Sequence, residues 1–217
     1  MTYAELVSAI KGYAENDFPT TAGSFTSTNQ LNTFIEQAEQ RIYNSVQFPA
    51  IRKNVTGTTT SGNKYLATPA DFLSSYSLAA IDSNGNYEYL LNKDVNFIRA
   101  AYPSASDSGA PAYYALFDDN TFILGPTPNA AYTMELHYYY YPESIVTAGT
   151  SWLGNNFDSV LLYGSLIEAY TFMKGEPDVI AGYNKRYEEA MILAKRLGDG
   201  MLRRDAYRSG QVRMSVN

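Results

Sequence analysis

Ser151-Trp-Leu-Gly-Asn-Asn-Phe-Asp-Ser-Val160-Leu-Leu-Tyr-Gly-Ser-Leu-Ile-Glu-Ala-Tyr170-Thr-Phe-Met173, then a Gly175-Glu-Pro177 break, then Asp178 to Leu197, is the stretch on which the fold turns. In its second half Ile180, Tyr183, Tyr187, Ala190, Met191, Ala194 and Leu197 recur at three- and four-residue steps, which predicts a helix with one buried stripe. The first half differs. Val160, Leu161, Leu162, Leu166, Ile167, Tyr170, Phe172 and Met173 surround the whole circumference of a helix. A helix apolar all round needs neighbours on more than one side. Gly164 and Glu168 interrupt it, and it is too short to span a bilayer. The pattern predicts a helical hairpin whose first arm is a central core helix or one packed between subunits. In the second case Leu161, Leu162, Leu166 and Tyr170, with Glu168, form the subunit-interface helix.

Working outward, Thr2 with Glu5 reads as a capping box that opens a helix to Ala14. A second amphipathic helix starts at Ser27 or Thr28 and runs to about Gln47, with Leu31, Phe34, Ile35, Ala38, Ile42 and Val46 on one stripe. Its natural partner is the hairpin at 151–197, which would join both ends of the sequence in one bundle. Between them the texture changes. Val55–Ser61 and Lys64–Thr68 read as strands around a Gly62-Asn63 turn, and Tyr76–Ile81 and Tyr87–Leu91 as a hairpin across Asp82–Asn86. Lys93–Tyr102 reads as a short helix; Ala110–Phe117, Thr121–Leu124 and Tyr132–Tyr141 complete the strands. In the last strand Met134, Leu136, Tyr138 and Tyr140 share one face. The expected fold is α+β: a helical bundle from 1–50 and 151–200, an inserted small antiparallel β sandwich or barrel at 51–150, and an extended tail at 201–217.

Composition narrows the chemistry. The chain has 20 Tyr, a residue suited to edges and interfaces because it pairs an apolar ring with a wet hydroxyl. There is no Cys and one His, so thiol chemistry is excluded and nearly every His-cluster metal site with it; no cofactor and no metal are expected. Nucleophilic catalysis of the Ser-His-acid kind could use only His137, and no phosphate-cradling Gly loop is present. The first residues lack the basic start and apolar core of a signal peptide, and no membrane partner is expected. The net charge is −6, unevenly spread. From Lys195 on, six Lys/Arg stand against Asp199 and Asp205, a net of +4 that leaves −10 for the rest. Four of the six, Arg203, Arg204, Arg208 and Arg213, sit in the tail, where guanidinium groups suit docking onto an acidic surface. A carboxylate inside an apolar helix, as Glu168 is, needs a partner or acquires a raised pKa. A bond to a neighbouring helix is the expected outcome.

Several segments taken in order resemble a known family. Leu66-Ala-Thr-Pro-Ala-Asp-Phe-Leu73 is similar to the turn of head-to-tail adaptor (connector) proteins of short-tailed bacteriophages, the tail-tubular-protein-A-like group. Asp94–Pro103, Gly109–Ala115, Phe122–Pro128, Leu136–Pro142 and Trp152–Phe157 running into Leu161–Tyr170 are similar to segments of the same family. The resemblance implies a non-enzymatic virion protein, made in the host cytoplasm. It implies a homo-oligomeric ring, a dodecamer, between the portal protein and the tail nozzle protein. Double-stranded DNA would pass through the ring on ejection without sequence-specific binding. Arg203, Arg204, Arg208 and Arg213 would then form the portal-docking tail. The alternative is a carbohydrate- or receptor-binding virion module using exposed Tyr and Trp152. Third comes a glycan hydrolase built on Glu168 or on Asp118 and Asp119.

Overall fold

The computed structural model describes residues 1–20, 25–104 and 106–203, with only the backbone for 199–203. In chain order the helices are α1 (Tyr3–Ala14), α2 (Ser27–Ser45), α3 (Val95–Ala101), α4 (Ile145–Ala148), α5 (Trp152–Asn156), α6 (Asp158–Phe172) and α7 (Pro177–Arg203). The strands are β1 (Arg52–Thr58), β2 (Tyr65–Ala67), β3 (Ser74–Ile81), β4 (Tyr87–Tyr89), β5 (Leu91–Asn92), β6 (Ser108–Gly109), β7 (Tyr113–Asp118), β8 (Thr121–Gly125), β9 (Thr127–Pro128) and β10 (Thr133–Tyr139). Two compact units result: Met1–Ile51 with the residues from Pro142 on, and Arg52–Tyr141. The chain is an α+β protein.

The helical unit is organised around α6, which packs against α1, α2, α5 and α7. Local chemistry sets the helix starts. The Thr2 hydroxyl accepts from the Glu5 N–H while Glu5 accepts from the Thr2 N–H, and Thr26 caps α2 through the Asn29 N–H. Leu6 and Ile10 of α1, Ile35, Ala38 and Ile42 of α2, and Leu161, Leu166 and Ala169 of α6 are fully buried. Burying each leucine or isoleucine contributes about 1.5–3 kcal/mol. At Gly164 the missing Cβ lets neighbours close in, since a methyl there would lie 3.2 Å from Ala38 Cβ and 3.3 Å from the Tyr187 ring. Residues 142–156 are tied to the same unit. The Ile145 N–H donates to Glu39 (3.0 Å) and the Tyr3 N–H to the Gly149 carbonyl (2.9 Å). Phe48, Trp152 and Phe157 stack at centroid distances of 4.8–5.5 Å.

In the β unit, one four-stranded sheet runs β1-β10-β3-β4 and a second β2-β8-β7-β5, with β6 and β9 forming a two-stranded third. The facing sides of the first two close over Leu78, Tyr114, Phe122, Leu124, Met134, Leu136 and Tyr138. Helix α3, capped by Asp94, covers the far side of the second sheet through Ile98, Ala115 and Ile123. The second sheet is therefore sandwiched, which is why Phe122 to Gly125 of β8 are buried on both faces.

Four expectations change. The β unit is not wholly antiparallel: β5 pairs with β7 in parallel, and so do β6 and β9. The strands flanking Gly62-Asn63 do not pair with each other, because β1 joins β10 and β2 joins β8, in different sheets. The first half of the expected hairpin is not a single arm, because α5 and α6 are parted at Phe157, whose backbone (φ −142°, ψ 48°) is not helical. Finally, α7 runs on through Gly198 to Arg203, so 201–203 belong to the helix and not to the tail.

Candidate assembly surfaces

The interface helix of the sequence reading is enclosed by its own chain. Leu161, Leu162 and Leu166 are buried within the helical unit, where α1, α2, α5 and α7 pack on α6. The physical reason is that these four helices converge on α6 and cover its apolar circumference from Val160 to Ala169, leaving Phe172 at its end exposed. Glu168 points to α2, where its carboxylate forms an ion pair with Arg41. Tyr170 donates from its hydroxyl to the Tyr13 carbonyl (3.0 Å) and packs on the Tyr183 ring at 5.0 Å. Tyr163 stacks on Tyr183, and Arg186 donates to the Tyr163 hydroxyl (3.2 Å). Burial, reinforced by the bond to Tyr170, pushes the Tyr183 hydroxyl up to about 12.

Surplus apolar surface in the helical unit lies on α7 instead. Ile192 (50% exposed), Leu193 (63%) and Leu197 (46%) form a patch flanked by the exposed cations Lys195 and Arg196. Beside it a groove of about 350 Å³ runs between α2 and α7, lined by Arg41, Ser45, Tyr187, Met191, Ile192 and Lys195. The sequence stripe named the buried side of α7 correctly in Met191 and Ala194 but placed Leu197 on it too. Residues 191–194 are all apolar and point about 100° apart in turn, so with Met191 and Ala194 facing inward Ile192 and Leu193 fall on the outer side. That was the available signal.

In the β unit, the segment that carries the family-like turn works as a plug. Phe72 packs edge-on against Phe122 (5.3 Å) and lies 6.1 Å from the Tyr138 ring. Asp71 accepts from the Tyr138 hydroxyl (2.8 Å) and from Lys53 Nζ (2.9 Å). The Lys53 bond is the main reason the Asp71 carboxyl sits below the usual carboxylate range. On the outer side of the first sheet, Tyr87 donates to Glu135 (3.2 Å) and Glu135 pairs with His137 Nε2 (2.9 Å). Nearby, the Arg52 guanidinium lies over the Tyr76 ring.

The catalytic leads do not assemble. Asp118 accepts the Asn120 N–H (2.9 Å) within the β7–β8 turn, a turn-forming role, and Glu168 is taken up by Arg41. No group of three His, Cys, Asp or Glu side chains with metal-binding geometry occurs among the described residues. Trp152, the proposed sugar platform, is packed between Phe48 and Phe157. No helix among the described residues is long and apolar enough to cross a membrane. Of the tail residues, Arg204, Arg208 and Arg213 lie outside the described residues, and only the backbone of Arg203 lies within them.

The solved structure "Neck of empty GTA particle computed with C6 symmetry" shares 10% identity over 78% of each chain. Its TM-score is 0.27, too loose a likeness to argue from. Among curated proteins nothing matches. Across residues 1–215, however, the sequence matches the family described as SU10 adaptor protein. A match of that extent settles the family: this chain belongs to the SU10 adaptor proteins, a structural adaptor family and not an enzyme class.

Proposed function

We propose that this adaptor assembles as a homo-oligomeric ring of the virion neck, seated on the portal protein and receiving the tail nozzle protein, with DNA leaving through its centre. The family match over residues 1–215 carries the reading. Two physical features support it. A patch of Ile192, Leu193 and Leu197 is more apolar surface than a solitary helix gains by exposing, and contacts that close in a ring would cover it. Residues outside 195–217 carry a net −10, and an acidic wall around a DNA channel repels phosphates and keeps the passage from sticking. The arginines Arg203, Arg204, Arg208 and Arg213 supply charge for docking on an acidic portal surface.

Native mass spectrometry of the purified protein, with and without its portal, tests this. A closed assembly of about twelve copies on the portal is the expected result, lost when residues 204–217 are deleted. A chain that stays monomeric in the presence of portal overturns the proposal.

A further inference from the structure

The helical unit exposes apolar side chains at two places, and the two differ in chemistry. Where α6 ends, the loop after α1 meets the turn into α7: Asn16 donates to the Met173 sulfur (3.1 Å) and Tyr170 to the Tyr13 carbonyl. Tyr13 is 48% exposed there and Phe172 42%. The same end carries four exposed acids, Glu15, Asp17, Glu176 and Asp178, against Lys11 and Lys174. Asp17 lies 3.7 Å from Lys11, while Glu15, Glu176 and Asp178 form no ion pair among the described residues. This surface is aromatic and acidic.

The second surface, Ile192, Leu193 and Leu197, is aliphatic and basic: residues 191–198 include Lys195 and Arg196 and no acid. Glu188, which lines the groove beside it, lies a turn nearer the start of α7. A Cβ on Gly198 would lie 3.1 Å from Val46 and 3.5 Å from Phe48, and Phe48 stacks on Phe157, where α6 begins. The two surfaces therefore sit at opposite ends of α6, whose 15 residues span about 22 Å.

Neither surface suits a copy of itself, because an isologous contact would set like charges face to face. Each suits the other. An aromatic, acidic end meeting an aliphatic, basic one buries both and repeats head to tail, the kind of contact that closes into a ring. We infer, resting on the ring reading above, that Tyr13 and Phe172 of one copy pack on Ile192, Leu193 and Leu197 of the next, with Glu15 and Asp17 facing Lys195 and Arg196.

The chain has no Cys, so two introduced ones report the contact without background. In the full chain assembled on its portal, the double variant Phe172→Cys, Leu193→Cys is expected to give a ladder of linked copies on mild oxidation, and either single variant none. Within one copy the stretch of α7 from Pro177 to Leu193 separates the two positions by about 24 Å, far more than a disulfide spans. Adding Lys195→Glu and Arg196→Glu to the double variant is expected to lower the ladder yield about tenfold. Glu15→Lys with Asp17→Lys in that same chain should restore it; all four sites are exposed. An intact ring that gives no ladder, linked dimers from a single-cysteine variant, or a yield indifferent to the charge reversal overturns the inference and leaves the ring standing. A parent that stays monomeric on the portal overturns the ring reading and this contact with it.

Discussion

At the scale of single residues, Glu168 was the legible one and its partner was not. A carboxylate in an apolar helix stands out in any sequence, whereas Arg41 sits among the polar residues of α2 like any solvent-facing cation. Only the packing of α6 on α2 brings the two together. Glu168→Ala leaves the exposed Arg41 to the solvent and is expected to cost about 0.5–1 kcal/mol, read as a lower urea midpoint with unchanged slope. A midpoint equal to the parent's would mean that water replaces the pair at no cost. Tyr183 gives a pH test. Its hydroxyl ionises at about 12 in the folded state against the ordinary 10.0. The folded state therefore holds the proton more tightly, and the stabilisation present below pH 10 is lost as pH rises towards 12. Tyr183→Phe has no proton to lose, so its stability should fall less steeply over that window than the parent's. Equal slopes at 222 nm ellipticity would rule the tyrosine out as a contributor.

At the scale of elements, Gly164 sets how closely α2 and α7 approach α6. Gly164→Ile gains roughly 0.5 kcal/mol of helix propensity but forces bulk against Ala38 and Tyr187, and overpacking costs about 1–3 kcal/mol. The clash wins, so the helical transition should move to lower denaturant; an unchanged or higher midpoint would show that the neighbouring helices yield freely. Helix positions were readable because their signals are local: a capping box at Thr2 and apolar steps of three and four. Strand pairing was not, because it is decided by distant residues. The Gly62-Asn63 turn reads as a hairpin, yet residues 59–64 are held to the 128–132 loop by Thr59 N–H to Tyr132 and Gly62 N–H to Pro128. Those bonds carry the chain from one sheet to the other. Nothing in the sequence near Gly62 announces them.

At the scale of the molecule, exposed apolar helix surface lies on α7 as well as at the end of α6. The sequence showed more apolar helix than one neighbour can cover, and located the surplus on α6. Enclosing α6 with α1, α2 and α7 uses up that surface inside one chain. Besides Tyr13 and Phe172, what remains exposed among the large apolar side chains described in the helical unit is Ile192, Leu193 and Leu197 of α7. Replacing all three by Asp separates folding from assembly. Because the side chains are exposed in the single chain, the unfolding free energy should change by no more than about 0.5 kcal/mol per site. Three carboxylates in an apolar contact, by contrast, would each be desolvated without a partner and should abolish any assembly that uses this face. Sedimentation velocity of the parent and the triple variant, on the portal and off it, reads the difference. If the variant still assembles on the portal, copies meet through another surface, and the exposed Tyr76, Tyr87 and Tyr89 of the first sheet become the next face to alter.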